Sequence, residues 1–437
     1  METSKPTTLG KLGRSRAHML CLVALASLIF GAQAQAEFAG GLGHTCWVSG
    51  AGSVECWGLN DAGQLGDGTL EDRAYPFPVA GLGTDAIVDV DTGEAFSCAL
   101  TSAKNLLCWG DNSQGQLGDG TRISSLLPIT VAGIDGLVQS FALGRQHVCA
   151  VLTGGTPVCW GDNSTGQLGD GNFFDRLVPT PTFGLAGLVA SVASGYDHSC
   201  AVTLSGDAFC WGSNSSGQLG DGTLTQRLSP SPVVGLTNLG PRVAFADRIA
   251  AGLDHTCALS TTGTVLCWGG NTSGQVGDSV LTAVHTSPLS VGGITGAVQD
   301  LQAGASFNCV LLDPGGIQCW GENIDGQLGD GSTVSRFSPA FVTNMATGVL
   351  NLGLGDYHAC SETSAGLRFC WGDCFYGQLG NGSNTSAVIP IEVLGPEPLP
   401  LSFATQLLLG LALALSGGLI AHRHAKENAG ALADSLH

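Results

Sequence analysis

The chain has 437 residues, a formal net charge of −19 and a pI near 4.6, with 43 % hydrophobic and only 12 % charged residues. That composition excludes a disordered chain and supplies ample material for a packed core. Residues 37–395 hold 31 Asp/Glu against 10 Lys/Arg, a net of −21 without a basic cluster, so nucleic acid is not an expected partner.

In chain order, residues 1–36 read as a secretory signal peptide. Lys5, Lys11, Arg14 and Arg16 precede an apolar run from Met19 to Phe30, and Ala32-Gln33-Ala34 and Ala34-Gln35-Ala36 are alternative cleavage sites. The run is too short to span a bilayer, although an uncleaved anchor is the alternative.

From residue 37 to 395 one unit recurs seven times: a cysteine, nine residues, then Cys-Trp-Gly. The pairs are Cys46 with Cys56, Cys98 with Cys108, Cys149 with Cys159, Cys200 with Cys210, Cys257 with Cys267, Cys309 with Cys319 and Cys360 with Cys370. Successive first cysteines lie 51 or 52 residues apart, with one step of 57. A fixed spacing inside a fixed period marks an array of one supersecondary unit. Each unit holds two short runs around a glycine-bearing loop and reads as a β-hairpin.

Facing cysteines at i and i+10 leave a three-residue loop, whose third position favours a left-handed residue. That position is Gly52, Gly155, Gly206, Gly263, Gly315 and Gly366, with Lys104 as the exception. Counting outward makes each cysteine couple a non-hydrogen-bonded pair with Cα atoms about 4.5 Å apart, within disulfide range. In an exported protein the seven pairs are expected to be oxidised, and fourteen buried free thiols are the alternative.

Five repeats carry a histidine two residues before the first cysteine (His44, His147, His198, His255, His358), but Phe96 and Phe307 replace it in the other two. Phenylalanine cannot ligate a metal, so these histidines read as structural. Gly41, Gly93, Gly144, Gly195, Gly252, Gly304 and Gly355 keep a position fit for a bend or close approach.

In five repeats Trp-Gly is followed by x-Asn and then Gly-Gln-Leu-Gly-Asp-Gly, as in Trp109 to Gly120. Asp111, Ser113 and Gly115 faintly match a calcium loop, but Arg122 holds the place of the bidentate glutamate, so glycine-dependent turns closed by Asn and Asp are favoured. In the last repeat Cys374 replaces the Asn and is the mature chain's unpaired cysteine.

These residues resemble the regulator of chromosome condensation repeat family, whose hallmarks are Gly-x-x-His-x-x-Ala-Leu and Trp-Gly-x-Asn-x-x-Gly-Gln-Leu-Gly. The resemblance implies an all-β, seven-bladed β-propeller with four strands per blade. It also implies closure by pairing the two ends, with Val388 to Val393 as a strand able to complete the first blade. The exchange factor of that family works through an insertion from one blade, for which the even spacing here leaves no room.

The loops after each Gly-Asp-Gly vary and collect Arg73, Tyr75, Arg122, Phe173, Phe174, Arg176, Arg227, Arg336 and Phe337. Arginine and aromatics are common interface anchors, so these are candidate binding residues; a solvated rim is the plainer alternative. Residues 237–247, the site of the longest step, are a second candidate protrusion.

Residues 396–401 read as a Pro-rich linker, residues 402–421 as an uncharged transmembrane or sorting helix, and residues 422–437 as a cytoplasmic tail opened by a basic cluster. A terminal helix docked on the ring is the alternative. Pro396-Glu397-Pro398 ahead of an apolar helix resembles bacterial C-terminal sorting signals, which implies a sorting protease. The expected function is a non-enzymatic scaffold at the cell surface binding an extracellular protein or polymer, without cofactor. A secreted hydrolase inhibitor, or an enzyme assembled around the channel, are the alternatives; no Gly-x-Ser-x-Gly, His-Glu-x-x-His or phosphate loop is present.

Overall fold

The computed structural model describes residues 37–395 apart from 186, 237–238, 240–248 and 280–281. The expected signal peptide, linker, apolar helix and tail, and most of the 237–247 protrusion, lie outside the described residues. Among the described residues no helix is long and apolar enough to cross a membrane.

The described residues form seven antiparallel sheets of four strands, each built from consecutive strands, arranged as the blades of a β-propeller. The first blade comprises Glu37–Gly40, His44–Val48, Val54–Gly58 and Arg73–Pro78, and the seventh Val349–Leu354, His358–Thr363, Arg368–Gly372 and Ala387–Glu392. The first strand of each blade lines a central channel. Every outermost strand carries a proline (Pro76, Pro128, Pro179, Pro230, Pro288, Pro339, Pro390), which denies the free edge a backbone donor and so discourages edge-to-edge association.

The cysteine hairpin matches its predicted register, with each first cysteine directly opposite the second of its repeat. Disulfides join Cys46 to Cys56, Cys98 to Cys108, Cys149 to Cys159 and Cys200 to Cys210. They likewise join Cys257 to Cys267, Cys309 to Cys319 and Cys360 to Cys370. The Cα atoms are 4.1 or 4.2 Å apart, closer than the expected 4.5 Å, and none of the fourteen is a free thiol. In the first blade Ser49 and Ser53 close a three-residue loop, and the third loop residue has positive φ in all seven blades, Lys104 (φ 65°) included.

Closure differs from the expected shared strand. Ala387–Glu392 pairs within its own blade, and the four residues Glu37–Gly40 already form the first blade's innermost strand. The repeat is therefore cut at the blade boundary, and the ring closes by packing blade seven on blade one. Gly40 lies against Gly355, and the Asp356 N–H donates to the Gly41 carbonyl (3.1 Å).

One interface recurs seven times. The tryptophan of each Cys-Trp-Gly is fully buried in the same core cluster as the preceding blade's disulfide, as Trp109 is with Cys46 and Cys56, and Trp57 with Cys360 and Cys370. Its indole N–H donates to the carbonyl of the preceding blade's Gln in Gly-Gln-Leu/Val-Gly, at 2.8–3.0 Å in every blade, from Trp109 to Gln64 round to Trp57 to Gln378.

The histidines complete this latch. His147 Nε2 lies 2.8 Å from Ser199 Oγ of the next blade, and Ser199 Oγ donates to the Gln167 carbonyl (2.8 Å) that also receives Trp211. His44 meets Ser97, His198 meets Thr256, His255 meets Asn308 and His358 meets Thr45 in the same way. Because each hydroxyl or amide gives its proton to the carbonyl, the imidazole must donate from Nε2. Burial holds His44, His147 and His198 at about 3 and His358 at about 4, below the ordinary 6.5. Where the histidine is Phe96 or Phe307, the facing residue is Val148 or Ala359: both members of the pair turn apolar together.

Two outcomes follow from this geometry. Lys104→Gly removes a left-handed side chain and is expected to raise stability by about 1 kcal/mol in urea unfolding. Ser199→Val alone leaves the His147 Nε2–H unpaired and is expected to cost about 1–3 kcal/mol, whereas His147→Phe with Ser199→Val restores most of it. The depressed histidines contribute stability that is present above pH 6.5 and lost as pH falls toward 3. The double variant should therefore lose less stability than wild type over that window, by up to one proton in the slope of stability against pH.

Candidate functional site: the channel mouth and its surrounding loops

The turn between the first and second strands of each blade begins with the invariant glycine. A Cβ on any of the seven would stand 2.4–2.7 Å from the next glycine's carbonyl oxygen, from Gly41 against Gly93 round to Gly355 against Gly41. Only glycine permits that approach, and the histidine or phenylalanine ring of the same turn lies against it. The next residue is thus carried to the rim of the channel seven times: Leu42, Glu94, Arg145, Tyr196, Leu253, Ala305 and Asp356. Circumferential bonds fix the rim, among them the N–H of Leu253 to the Ala305 carbonyl (2.8 Å) and that of Ala305 to the Asp356 carbonyl (3.2 Å).

The rim breaks the sevenfold symmetry of the scaffold. Arg145 pairs with Glu94 (3.0 Å) and lies over the Tyr196 ring (5.9 Å). The Tyr196 hydroxyl donates to Asp356 Oδ2, three blades away. Asp356 shows some surface to the channel but is otherwise enclosed by protein, and burial holds its carboxyl up at about 6 despite the tyrosine. Burial likewise raises the Tyr196 phenol and the neighbouring Asp197 carboxyl.

The same face carries the loops between third and outermost strands. All but the last wind around an asparagine: Asn60 Nδ2 donates to Asp67 Oδ1 (3.2 Å) and the Thr69 and Glu71 carbonyls (both 3.1 Å), while its Oδ1 accepts the Leu65 N–H (3.0 Å). In the matched calcium-like stretch Asp111 accepts Ser113 Oγ and Gln116 Nε2, both at 2.8 Å. The last loop departs as a set: Cys374, Asn381 and Ala387 replace Asn, Asp and Arg, and the free, buried Cys374 has its Sγ 3.0 Å from the Ser383 carbonyl.

Four of the candidate arginines serve their own loops. Arg73, Arg176, Arg227 and Arg336 pair with the Gly-Asp-Gly aspartates Asp67, Asp170, Asp221 and Asp330 at 2.6–2.8 Å. Hydrogen bonds from the Thr69, Thr223 and Ser332 hydroxyls, and then from the arginines, hold Asp67, Asp221 and Asp330 below the ordinary carboxylate range against their burial. Arg122 instead bridges to Asp175 of the next blade (2.7 Å). Tyr75 packs over Gly382 and Phe337 over Gly274, both between blades, whereas Phe173 and Phe174 point to solvent, Phe174 at 73 % exposure.

The loops and the rim share one face but are separate in sequence. The rim positions are hard to pick out of the sequence because their residue type varies; the signal they leave is a variable residue after an invariant glycine at a fixed phase. Asp356→Asn tests the rim. A carboxyl raised to about 6 stabilises fully below 3.8 and loses that contribution as pH rises through 6, so the variant should gain melting temperature relative to wild type between pH 4 and 8.

A family model described as the RCC1-like domain matches residues 7–342. The Ultraviolet-B receptor UVR8 of Arabidopsis thaliana is 31 % identical over 355 residues, covering 79 % of each chain. The E3 ubiquitin-protein ligase HERC2 of Homo sapiens is 30 % identical over 352 residues, 79 % of this chain but 7 % of that protein. The structure of Prp20p from Saccharomyces cerevisiae superposes with a TM-score of 0.69 at 20 % identity, covering 82 % of this chain and 86 % of that one, which shows the shared fold. The chain belongs to the RCC1-like domain family.

Proposed function

We propose that the protein is a non-enzymatic binding scaffold, exported to the cell envelope, that holds a protein partner on the face formed by the channel rim and the surrounding loops. The observation that carries this reading is the repeated exposure of apolar side chains three or four residues after the Gly-Asp-Gly aspartate: Leu70, Ile123, Phe173, Phe174, Leu224 and Val334. Solvent-exposed apolar groups at matched positions of a rigid, disulfide-stapled ring suit protein docking rather than catalysis. Among the described residues no group of three or more His, Cys, Asp or Glu could hold a metal ion.

Export rests on residues 1–36 and on the seven disulfides, which need an oxidising compartment. Membrane attachment through residues 402–421, and a sorting protease acting near Pro396-Glu397-Pro398, extend the same proposal. The acidic ring disfavours nucleic acid as the partner.

The test is cross-linking of the cell-associated protein, with mass spectrometry of both termini and of the captured partner. An Ile123→Ser/Phe173→Ser/Phe174→Ser variant should lose the partner, while Leu188→Ser/Leu204→Ser, on the opposite loops, should keep it. Equal capture by both variants, or a mature protein retaining residues 1–36 in the cytoplasm, overturns the proposal.

A further inference from the structure

The two faces of the ring differ in charge. The loops of the rim face, which join first to second and third to outermost strands, hold 19 Asp/Glu against Arg122 and Arg145, a net of −17. Adding the strand-end arginines Arg73, Arg176, Arg227 and Arg336, each paired with a rim aspartate, still leaves −13. The opposite face consists of the cysteine-hairpin loops and of the connections from each outermost strand to the next blade. Its described loops hold four aspartates against Lys104, and residues 240–248 add one aspartate and two arginines in sequence, a net of −2.

The weakly charged hairpin face also exposes apolar side chains. Phe183 and Leu188 stand on the connection from the third blade to the fourth, at 58 % and 54 % exposure. Leu204, on the fourth blade's hairpin loop, is bonded to that connection through its N–H and the Leu188 carbonyl (2.8 Å) and is equally exposed. Leu137, Leu367 and Leu394 project from other blades of the same face. The residues around them are mostly small and uncharged, as in Ser49 to Ser53. The apolar tips of the rim face differ in this respect, since a carboxylate follows Leu70 and Phe174 directly as Glu71 and Asp175.

The point at which the chain leaves the ring is an independent observation. The outermost strand Ala387–Glu392 runs from the rim face to the hairpin face. There the Val393 N–H donates to the Arg368 carbonyl (2.9 Å), and half-exposed Leu394 ends the seventh blade. Seven residues, 395–401, separate Leu394 from the uncharged run 402–421. Even fully extended they reach only about 25 Å.

We infer that the hairpin face rests on the lipid bilayer, with Phe183, Leu188, Leu204 and Leu367 seated at the headgroups and the rim face pointing away. So short a tether keeps the face from which the chain departs toward the bilayer that the run 402–421 enters. Leucine and phenylalanine side chains on an almost uncharged face gain free energy by leaving water at the headgroup boundary. Anionic headgroups repel the rim loops, and because that repulsion fades within about 10 Å it acts on whichever face is nearer. The inference rests on the membrane attachment proposed above and adds the orientation of the ring, which leaves the partner-binding face free.

The test reconstitutes the oxidised full chain in phosphatidylcholine–phosphatidylglycerol vesicles containing dibrominated phosphatidylcholine, which quenches nearby indoles. Leu204→Trp or Leu367→Trp places a probe on the hairpin face and Ile123→Trp one on the rim face, with emission read against the unsubstituted chain. Each hairpin-face probe should lose about half of its added emission, as side chains about 5–10 Å deep at the headgroup boundary would, and the rim probe none. Unaltered melting temperatures confirm that each variant folds. Alkaline carbonate extraction of the same vesicles separates the two readings. Retained protein with unquenched hairpin probes, or with the rim probe quenched as strongly, overturns the orientation and leaves the attachment standing. Cross-links joining two hairpin faces would in that case assign a second copy of the chain to them. Protein released by carbonate overturns both attachment and orientation, while partner capture by the rim face tests the scaffold reading separately.

Discussion

The ring depends on one backbone oxygen per blade. The glutamine carbonyl in Gly-Gln-Leu/Val-Gly receives the indole N–H of the following blade, over the disulfide of its own blade. In five blades it also receives a hydroxyl or amide tied to its own blade's histidine, as Gln64 receives Ser97 beneath His44. A bond formed inside a fully buried interface is costly to leave unmade, so each blade specifies the position of the next. Repetition then closes the circle: Trp57 on Gln378 and Thr45 on His358 are the same contacts made between the two ends of the chain.

That arrangement explains why the disulfides sit where they do. An isolated four-stranded blade has two apolar faces and little core of its own, so its hairpin needs a local constraint before neighbours cover it. A cross-link spanning ten residues contributes about 3 kcal/mol by chain entropy. The tryptophan of the next blade then buries the bridge. Staple and latch act at different levels, one inside the blade and one between blades, and neither distinguishes one blade from another.

Function must come from the positions that the latch leaves free. The invariant glycine fixes the rim but not its side chains, so Glu94, Arg145, Tyr196 and Asp356 can differ without weakening closure. The loop asparagine fixes the loop floor but not its tip, where Ile123, Phe173 and Phe174 reach solvent. Chemistry that varies on a scaffold that does not is the pattern of a recognition surface. The arginines singled out by their loop position divide on this criterion. Arg73, Arg176, Arg227 and Arg336 belong to the floor because a Gly-Asp-Gly aspartate claims each one, and Arg122 belongs to a bridge between tips.

Short-range spacing alone dictates the repeat, the hairpin register, the seven cysteine pairs and the left-handed loop residue. Even Lys104 obeys the rule its neighbours set, with φ at 65°. Three features emerge only once the blades are packed. The His-to-Phe exchanges make sense only against Val148 and Ala359, more than fifty residues downstream. The ring closes by blade packing rather than by a shared strand, because the four residues Glu37–Gly40 suffice for an innermost strand. The bond between Tyr196 and Asp356 joins residues 160 positions apart across the channel. Spacing encodes contacts inside one repeat; contacts between repeats depend on the angle at which blades meet, and that angle is a property of the closed ring.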